Sequence, residues 1–291
     1  MLLSTARLAD DIRHNCRIKK YPDGSREILV ADRCIFREAG YESIGVEKKL
    51  DKLFFDAEVD AVELSQYSLA RREASEAAKA AANLERAKRR ARSAVSDLAL
   101  SNEFRYFVTL TLAPDKINRY DAAEVTRKLN NWLDNRVRRD GLAYVLVAER
   151  HKDGAIHFHG FFNGALPVED SGTIDLGGGK PKRPRSAAQR AAWLAQGGRI
   201  VYNLPGWSLG FTTAIELYGE RRAAVGYVCK YITKASEKVG GRWYYSGGAL
   251  QRPSVELCRV EFDDFLALDS ARTFTLDELG ARVIKFTMEG G

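Results

Sequence analysis

The densest chemistry in this 291-residue sequence lies in "RHKDGAIHFHGFF", residues 150–162, which holds three of its four histidines. His157 and His159 flank Phe158 in a run that reads as a β-strand. Successive strand side chains point to opposite faces, so both imidazoles share one face while Ile156 and Phe158 point the other way. Such a pair can grip a divalent metal. A lone His-x-His is more often two polar residues on a wet sheet face. The turn changes that balance. A three-residue loop, Lys152-Asp153-Gly154 with its glycine left-handed, sets His151 opposite Ala155 and Glu149 opposite His157. The carboxylate then joins both imidazoles on one face, its Cβ about 5 Å from that of His157. A two-residue turn would send Glu149 to the other face. His151, at the mouth of the turn, is the competing third ligand. Two imidazoles and a carboxylate with open positions suit a catalytic ion.

A second group occupies "YVCKYITK", 227–234. With Tyr227 at zero and about 100° per residue, Tyr231 falls near 40°, Lys234 near −20° and Lys230 near −60°. These four share one stripe, and Val225, Val228, Cys229 and Ile232 take the opposite side. Ammonium groups stabilise a phenolate and neutralise charge on an attacked phosphate, so a tyrosine among lysines suits nucleophilic attack. The bland alternative is two tyrosines at the core margin with lysines in solvent.

Strands must carry the first group and a helix the second. "FRYFVTLTLAPD" (104–115) reads as a strand closed by Ala-Pro-Asp, with "LAYVLVAER" (142–150) and "AIHFHGFF" (155–162) as two more. Between them, Val125, Leu129, Trp132, Leu133 and Val137 mark one stripe of an amphipathic helix over 121–139. Residues 165–190, containing "GGGKPKRPRS", read as a flexible basic insert without apolar periodicity. "AAWLAQ" reads as a short helix, "GWSLGFTTAIEL" as a strand pair, and 220–240 as a helix ended by glycine. Upstream, residues 1–55 form a β-rich unit with a hairpin turning at Pro22-Asp23-Gly24. From Asp56 to Leu100 the chain has no proline or glycine and reads as one long helix. Its later part, "ERAKRRARS", is either a solvated face or a contact to a DNA backbone. The last fifty residues mix strand and short-helix signals and offer no chemistry.

The formal net charge of +7 favours an anionic partner, nucleic acid before membrane, because no basic stretch carries bulky apolar anchors. No apolar run approaches the roughly 20 residues that span a bilayer, and the first residues are too short in apolar length for a signal peptide. A cytoplasmic protein is the expectation. Cys16, Cys34, Cys229 and Cys258 form no C-x-x-C pair, which argues against structural zinc. No G-x-x-x-x-G-K-[ST] run occurs, so no nucleotide-hydrolysing module is recognisable.

In order along the chain, "FVTLTL" (107–112), "HFHG" (157–160) and "YVCKYITK" resemble the three motifs of the HUH endonucleases. The resemblance is in particular to the two-tyrosine rolling-circle replication initiators of bacteriophages, such as the A proteins of small isometric phages, and it covers 104–240. It implies an α+β fold: a central antiparallel sheet of HUH/Rep, ferredoxin/RRM-like type with packed helices. Here the N-terminal β-hairpin and long basic helix would precede it. The chain then divides into an accessory region, 1–100, an endonuclease domain, 101–240, with the basic insert 165–190, and a C-terminal extension, 241–291.

The resemblance further implies Mg2+ or Mn2+ held by His157, His159 and, by the hairpin argument, Glu149. The family nucleophiles fall on Tyr227 and Tyr231, and the family lysines on Lys230 and Lys234. The implied activity is metal-dependent, site-specific nicking and rejoining of single-stranded origin DNA through a 5′-phosphotyrosine, in the cytoplasm of a bacterial host. Many relatives carry a fused helicase. None is readable here, so host helicase and polymerase would be partners. "GKPKRPR" and Trp193, Trp207 and Trp243 are candidates for contacting the DNA, the tryptophans being otherwise core residues.

Three other readings share some of these features. A two-tyrosine HUH transposase or a plasmid relaxase has the same chemistry on different DNA. An iron(II) oxygenase uses two histidines and a carboxylate but has no need of a tyrosine–lysine stripe. A non-catalytic DNA-binding protein would bind without nicking.

Overall fold

Strict alternation shapes the strand that "YFVTLTL" forms. Tyr106, Val108, Leu110 and Leu112 are buried, and the residues between them are half-buried. That is the signature of a strand with two unlike faces. The computed structural model describes residues 13–37, 66–177, 180–217, 221–268, 271–276 and 281–290. It is α+β, with two large antiparallel sheets and four α-helices among the described residues. In chain order these are β1 (Arg13–His14), β2 (Cys16–Lys20), β3 (Arg26–Ala31), β4 (Phe36–Arg37), α1 (Gln66–Ser101), β5 (Tyr106–Leu112) and α2 (Ala122–Asp140). There follow β6 (Tyr144–Arg150), β7 (Ile156–Phe162), β8 (Glu169–Asp175), α3 (Ala187–Ala195), β9 (Arg199–Asn203), β10 (Gly210–Glu216) and α4 (Arg221–Lys234). Last come β11 (Tyr245–Gly247), β12 (Ser254–Cys258), a 3-10 turn (Asp263–Phe265), β13 (Arg272–Leu276) and β14 (Ala281–Met288).

The chain divides into two units, 1–84 with 253–291, and 85–252. In the first, five strands run in the order β12-β2-β3-β14-β13, and β1 pairs with β4. The predicted hairpin is β2–β3, with Gly24 at φ 82 in its turn. Its core is Cys16, Ile28, Val30, Phe262, Ile284 and Phe286. Cys16 and Cys258 face each other across β2 and β12 as free thiols.

In the second unit, seven strands run in the order β11-β6-β7-β5-β10-β9-β8. One face is the core. Leu110, Leu146, Phe158 and Ala214 pack there against Val125, Leu129, Trp132 and Leu133 of α2. Burying each large apolar side chain contributes about 1.5–3 kcal/mol. Helix α2 starts where the Asp121 side chain accepts hydrogen bonds from the Ala123 and Glu124 amides, and it stops at Gly141, φ 73. The opposite face carries the histidines, and α4 packs over part of it. A Cβ at Gly160 would collide with the Val145 carbonyl oxygen, so the glycine after His159 lets β6 close on β7.

Three expectations need correction. The 165–190 segment contains β8, an edge strand paired with β9 through Ile174 and Asp175, with a bulge between Asp170 and Thr173. Its acidic residues pair with Arg190 and Arg199, and such charges guard a free edge. "GWSLGFTTAIEL" supplies one strand, β10, whose second partner β9 comes from "RIVYN" upstream. Helix α4 ends at Lys234, short of Gly240, because Val239 turns into the core and its carbonyl accepts the Tyr245 hydroxyl. The early part of the predicted long helix, 56–65, lies outside the described residues, as do 1–12 and 38–55 of the predicted β-rich unit. Among the described residues no helix is long and apolar enough to cross a membrane.

Candidate active site

The loop after β6 has the expected length. The His151 amide donates to the Ala155 carbonyl at 2.9 Å, the Gly154 amide to the His151 carbonyl at 2.8 Å, and Gly154 sits at φ 85. This sets the register Glu149 opposite His157, as a three-residue loop requires. On the other side of β7, β5 brings Thr111 opposite His157 and Thr109 opposite His159. Each threonine hydroxyl bonds the Nδ1 of its partner, at 3.3 Å for His157 and 3.1 Å for His159.

Glu149 does not meet its cross-strand partner. Its Oε2 accepts the Nε2–H of His159 at 2.8 Å. His151, the competing ligand, joins the group. Its ring stacks on His157 at 3.8 Å, and its Nε2 lies 3.9 Å from the same carboxylate oxygen. Burial, together with the nearby His151, His159 and Arg119, pushes the His157 pKa down to about 4. Burial also lowers that of His159, against the opposing pull of Glu149. Both rings are therefore neutral at neutral pH, the form that ligates metals.

Helix α4 faces this group. Val225, Val228 and Ile232 are buried as the sequence predicts. Residues of α1 from Glu85 onward pack behind it. Arg92 donates to the Thr233 hydroxyl at 3.0 Å, and Lys88 to the Thr233 carbonyl at 3.4 Å. The run "ERAKRRARS" is thus divided: Lys88 and Arg92 hold α4, while Arg89 and Arg90 are exposed. The two tyrosines also differ. The Tyr231 ring stacks on His159 with centroids 4.2 Å apart and planes 8° from parallel, and it is only 9% exposed. Tyr227 is 49% exposed and meets Phe107 edge-on at 5.8 Å. The Tyr231 hydroxyl donates to the Tyr227 hydroxyl at 2.7 Å. Burial raises the Tyr231 pKa, as do this hydrogen bond and the neighbouring Tyr227 and Glu149.

The structure therefore brings His157, His159, Glu149, Tyr227 and Tyr231 together and leaves Lys230 and Lys234 exposed. Among the described residues neither lysine makes an ion pair. The sequence did not single out Thr109, Thr111, Arg119 or Phe211. The signal for the threonines was Thr-x-Thr in "FVTLTL", the same period as His-x-His. Of the candidate stacking tryptophans, Trp207 is core, its indole N–H donating to the Thr111 carbonyl at 3.2 Å. Trp243 is half-buried with Lys88 and Lys238 each 5.9 Å from its ring.

The fit of a divalent ion rests on the donors. Among the described residues, no three His, Cys, Asp or Glu side chains stand as a group able to hold a metal. The Glu149 carboxylate is closed onto His159 Nε2, where a ligand lone pair would be needed. The donor chemistry is nonetheless suitable: a carboxylate with two neutral imidazoles whose Nδ1 atoms are held from behind. A hydroxyl both donates and accepts, so each threonine satisfies Nδ1 in either tautomer of the ring.

A family model described as a replication-associated protein of the ORF2 type matches residues 105–236. Comparisons with curated proteins and with solved structures find no match. The matched stretch runs from the residue before β5 to just beyond α4 and takes in every residue of the cluster. The match supports a role in initiating DNA replication.

Proposed function

We propose that the chain nicks and rejoins single-stranded origin DNA to start rolling-circle replication, using tyrosine as nucleophile. One observation carries this reading. An aromatic, hydroxyl-bearing helix face lies directly on the histidine strand, with Tyr231 stacked on His159 and bonded to Tyr227. Nucleophile and electrostatic partner must both reach one phosphate, and this packing supports that.

Tyr227 is the hydroxyl open to a substrate. It attacks the scissile phosphorus and loses its proton to solvent. The bond from phosphorus to O3′ breaks, O3′ takes up a proton, and a 5′-phosphotyrosine and a free 3′-hydroxyl result. Tyr231 donates to the Tyr227 oxygen and so stabilises charge there as the phenol ionises. The exposed Lys230 and Lys234 offset phosphate charge on the same helix. His157, His159 and Glu149 would hold Mg2+ or Mn2+, which when bound supplies Lewis-acid polarisation of a non-bridging phosphate oxygen. The ester conserves the phosphodiester bond, so rejoining needs no nucleotide. The free 3′ end would prime a host polymerase, with a host helicase opening the duplex. The test is incubation with single-stranded DNA and Mg2+ or Mn2+, followed by mass spectrometry. A nucleotide-bearing peptide spanning 227–231 supports the reading; DNA binding without any adduct sinks it.

A further inference from the structure

Register fixes a second feature of the histidine face. Cross-strand partners in an antiparallel sheet project to the same side. Glu149 pairs with His157, His157 with Thr111, and Thr111 with Phe211 of β10. Phe211 therefore stands in the same row as the histidine, two strands away, about 10 Å at the usual strand spacing. The burial pattern agrees, since its neighbour Thr212 is buried toward the core. Phe211 is 71% exposed, the most exposed large hydrophobic side chain among the described residues. Helix α4 reaches the rows of His159 and Phe107 and leaves this one open. Among the described residues no other aromatic ring packs on Phe211. At the other end of the row the positive charge of Arg119 acts on His157.

An exposed ring beside a phosphate-sized, positively biased site matches a nucleotide, whose flat base and charged linkage sit at about this separation. Resting on the proposed function, we infer that Phe211 is a stacking platform for an unpaired base next to the scissile phosphate. The ring tolerates any base, because every base presents a π-face. It therefore positions the strand without reading its sequence. The occupant is single-stranded DNA rather than duplex, since bases within a duplex keep their faces stacked on each other.

The probe is a fluorescein-labelled, mixed-sequence single-stranded oligonucleotide, titrated into the full chain and followed by anisotropy. Phe211→Ala weakens binding by roughly tenfold, the order expected of one stacked base, and leaves the thermal midpoint unchanged because so little of the ring is buried. Phe211→Trp keeps wild-type affinity, and its added indole emission, measured as the difference from wild type, is quenched by the oligonucleotide. Wild-type affinity in Phe211→Ala, or no quenching in Phe211→Trp, overturns the inference alone. So does concentration-dependent self-association that Phe211→Ala abolishes without changing DNA affinity. A wild-type chain that binds no single-stranded DNA overturns the proposed function and this inference with it.

Discussion

The Tyr231 hydroxyl donates to the Tyr227 hydroxyl at 2.7 Å, from a ring stacked on His159 to one that is half exposed. The two phenols are one helical turn apart and inequivalent. Tyr227 is reachable and receives a hydrogen bond that favours its ionised form, and Tyr231 is buried and gives that bond. Once Tyr227 is esterified its oxygen accepts more weakly, and Tyr231 is released to act in turn.

The first prediction follows from that inequivalence. Tyr231→Phe slows the first cleavage by roughly tenfold, about the worth of one hydrogen bond to a charged oxygen. Tyr227→Phe slows it more, because the remaining phenol is buried. Both single variants still cut once and fail at successive turnover, and the double variant does not cut. Single-turnover and multiple-turnover cleavage on a labelled oligonucleotide separate these outcomes. Equal and complete loss of first cleavage in both single variants counts against alternating use.

Thr109 and Thr111 hold the histidine rings from behind, so they are positioning residues. Thr109→Val or Thr111→Val destabilises the chain by about 1 kcal/mol and weakens Mn2+ binding by roughly tenfold or more. Serine at either position keeps the hydroxyl and restores binding. Calorimetric Mn2+ titration measures the affinity. Nitrogen-15 NMR of the imidazoles reports directly on the tautomer, which a purely structural role for the threonines would leave unchanged.

A third prediction concerns the other sheet. Lys19 is only 5% exposed and lies 3.7 Å from Glu27, which also pairs with Lys285 at 2.7 Å. Burial alone would raise the Glu27 pKa. The hydrogen bond and charge of Lys285, with Lys19 and Arg17, outweigh that and hold it below its ordinary 4.5. Its contribution to stability is therefore full above pH 4.5 and is lost as pH falls through the lowered folded value. Glu27→Gln leaves Lys19 buried without its counter-charge and costs about 3 kcal/mol at neutral pH. Thermal midpoints across the acid range show the gap between variant and wild type closing as pH drops. A gap constant down to pH 3 contradicts the assignment.

What could be read in advance was local. The loop Lys152-Asp153-Gly154 fixed the register of Glu149 against His157 because turn length alone determines which residues face each other. Helical spacing separated Val225, Val228 and Ile232 from the tyrosines, but it placed Tyr231 and Lys234 in one stripe. Only the neighbouring sheet decides that one is covered and the other left in solvent. Strand β8 was hidden by composition: its acidic, glycine-containing sequence has weak strand propensity and relies on pairing with β9. The same holds for β12 and β14, which pair with β2 and β3 across more than two hundred residues. No local pattern encodes such a partner. Phe211 looked like any strand aromatic until its row was known.

The last prediction addresses the ion. Glu149 is now closed onto His159, so a metal must displace a 2.8 Å hydrogen bond and take the Nε2 proton's place. Affinity is then set by how readily the carboxylate opens. Glu149→Gln keeps the size of the side chain but removes the anionic donor, and it weakens Mn2+ binding more than it disturbs folding. His157→Ala with His159→Ala removes both imidazoles and abolishes metal-dependent nicking, while oligonucleotide binding through the basic surface and Phe211 persists. Chelation of the wild-type protein has the same two consequences, and Mn2+ added back restores cleavage. Paired gel-cleavage and anisotropy measurements distinguish the losses. Cleavage that survives both the double substitution and chelation removes these histidines and the ion from the chemistry, leaving the tyrosine pair to act without them.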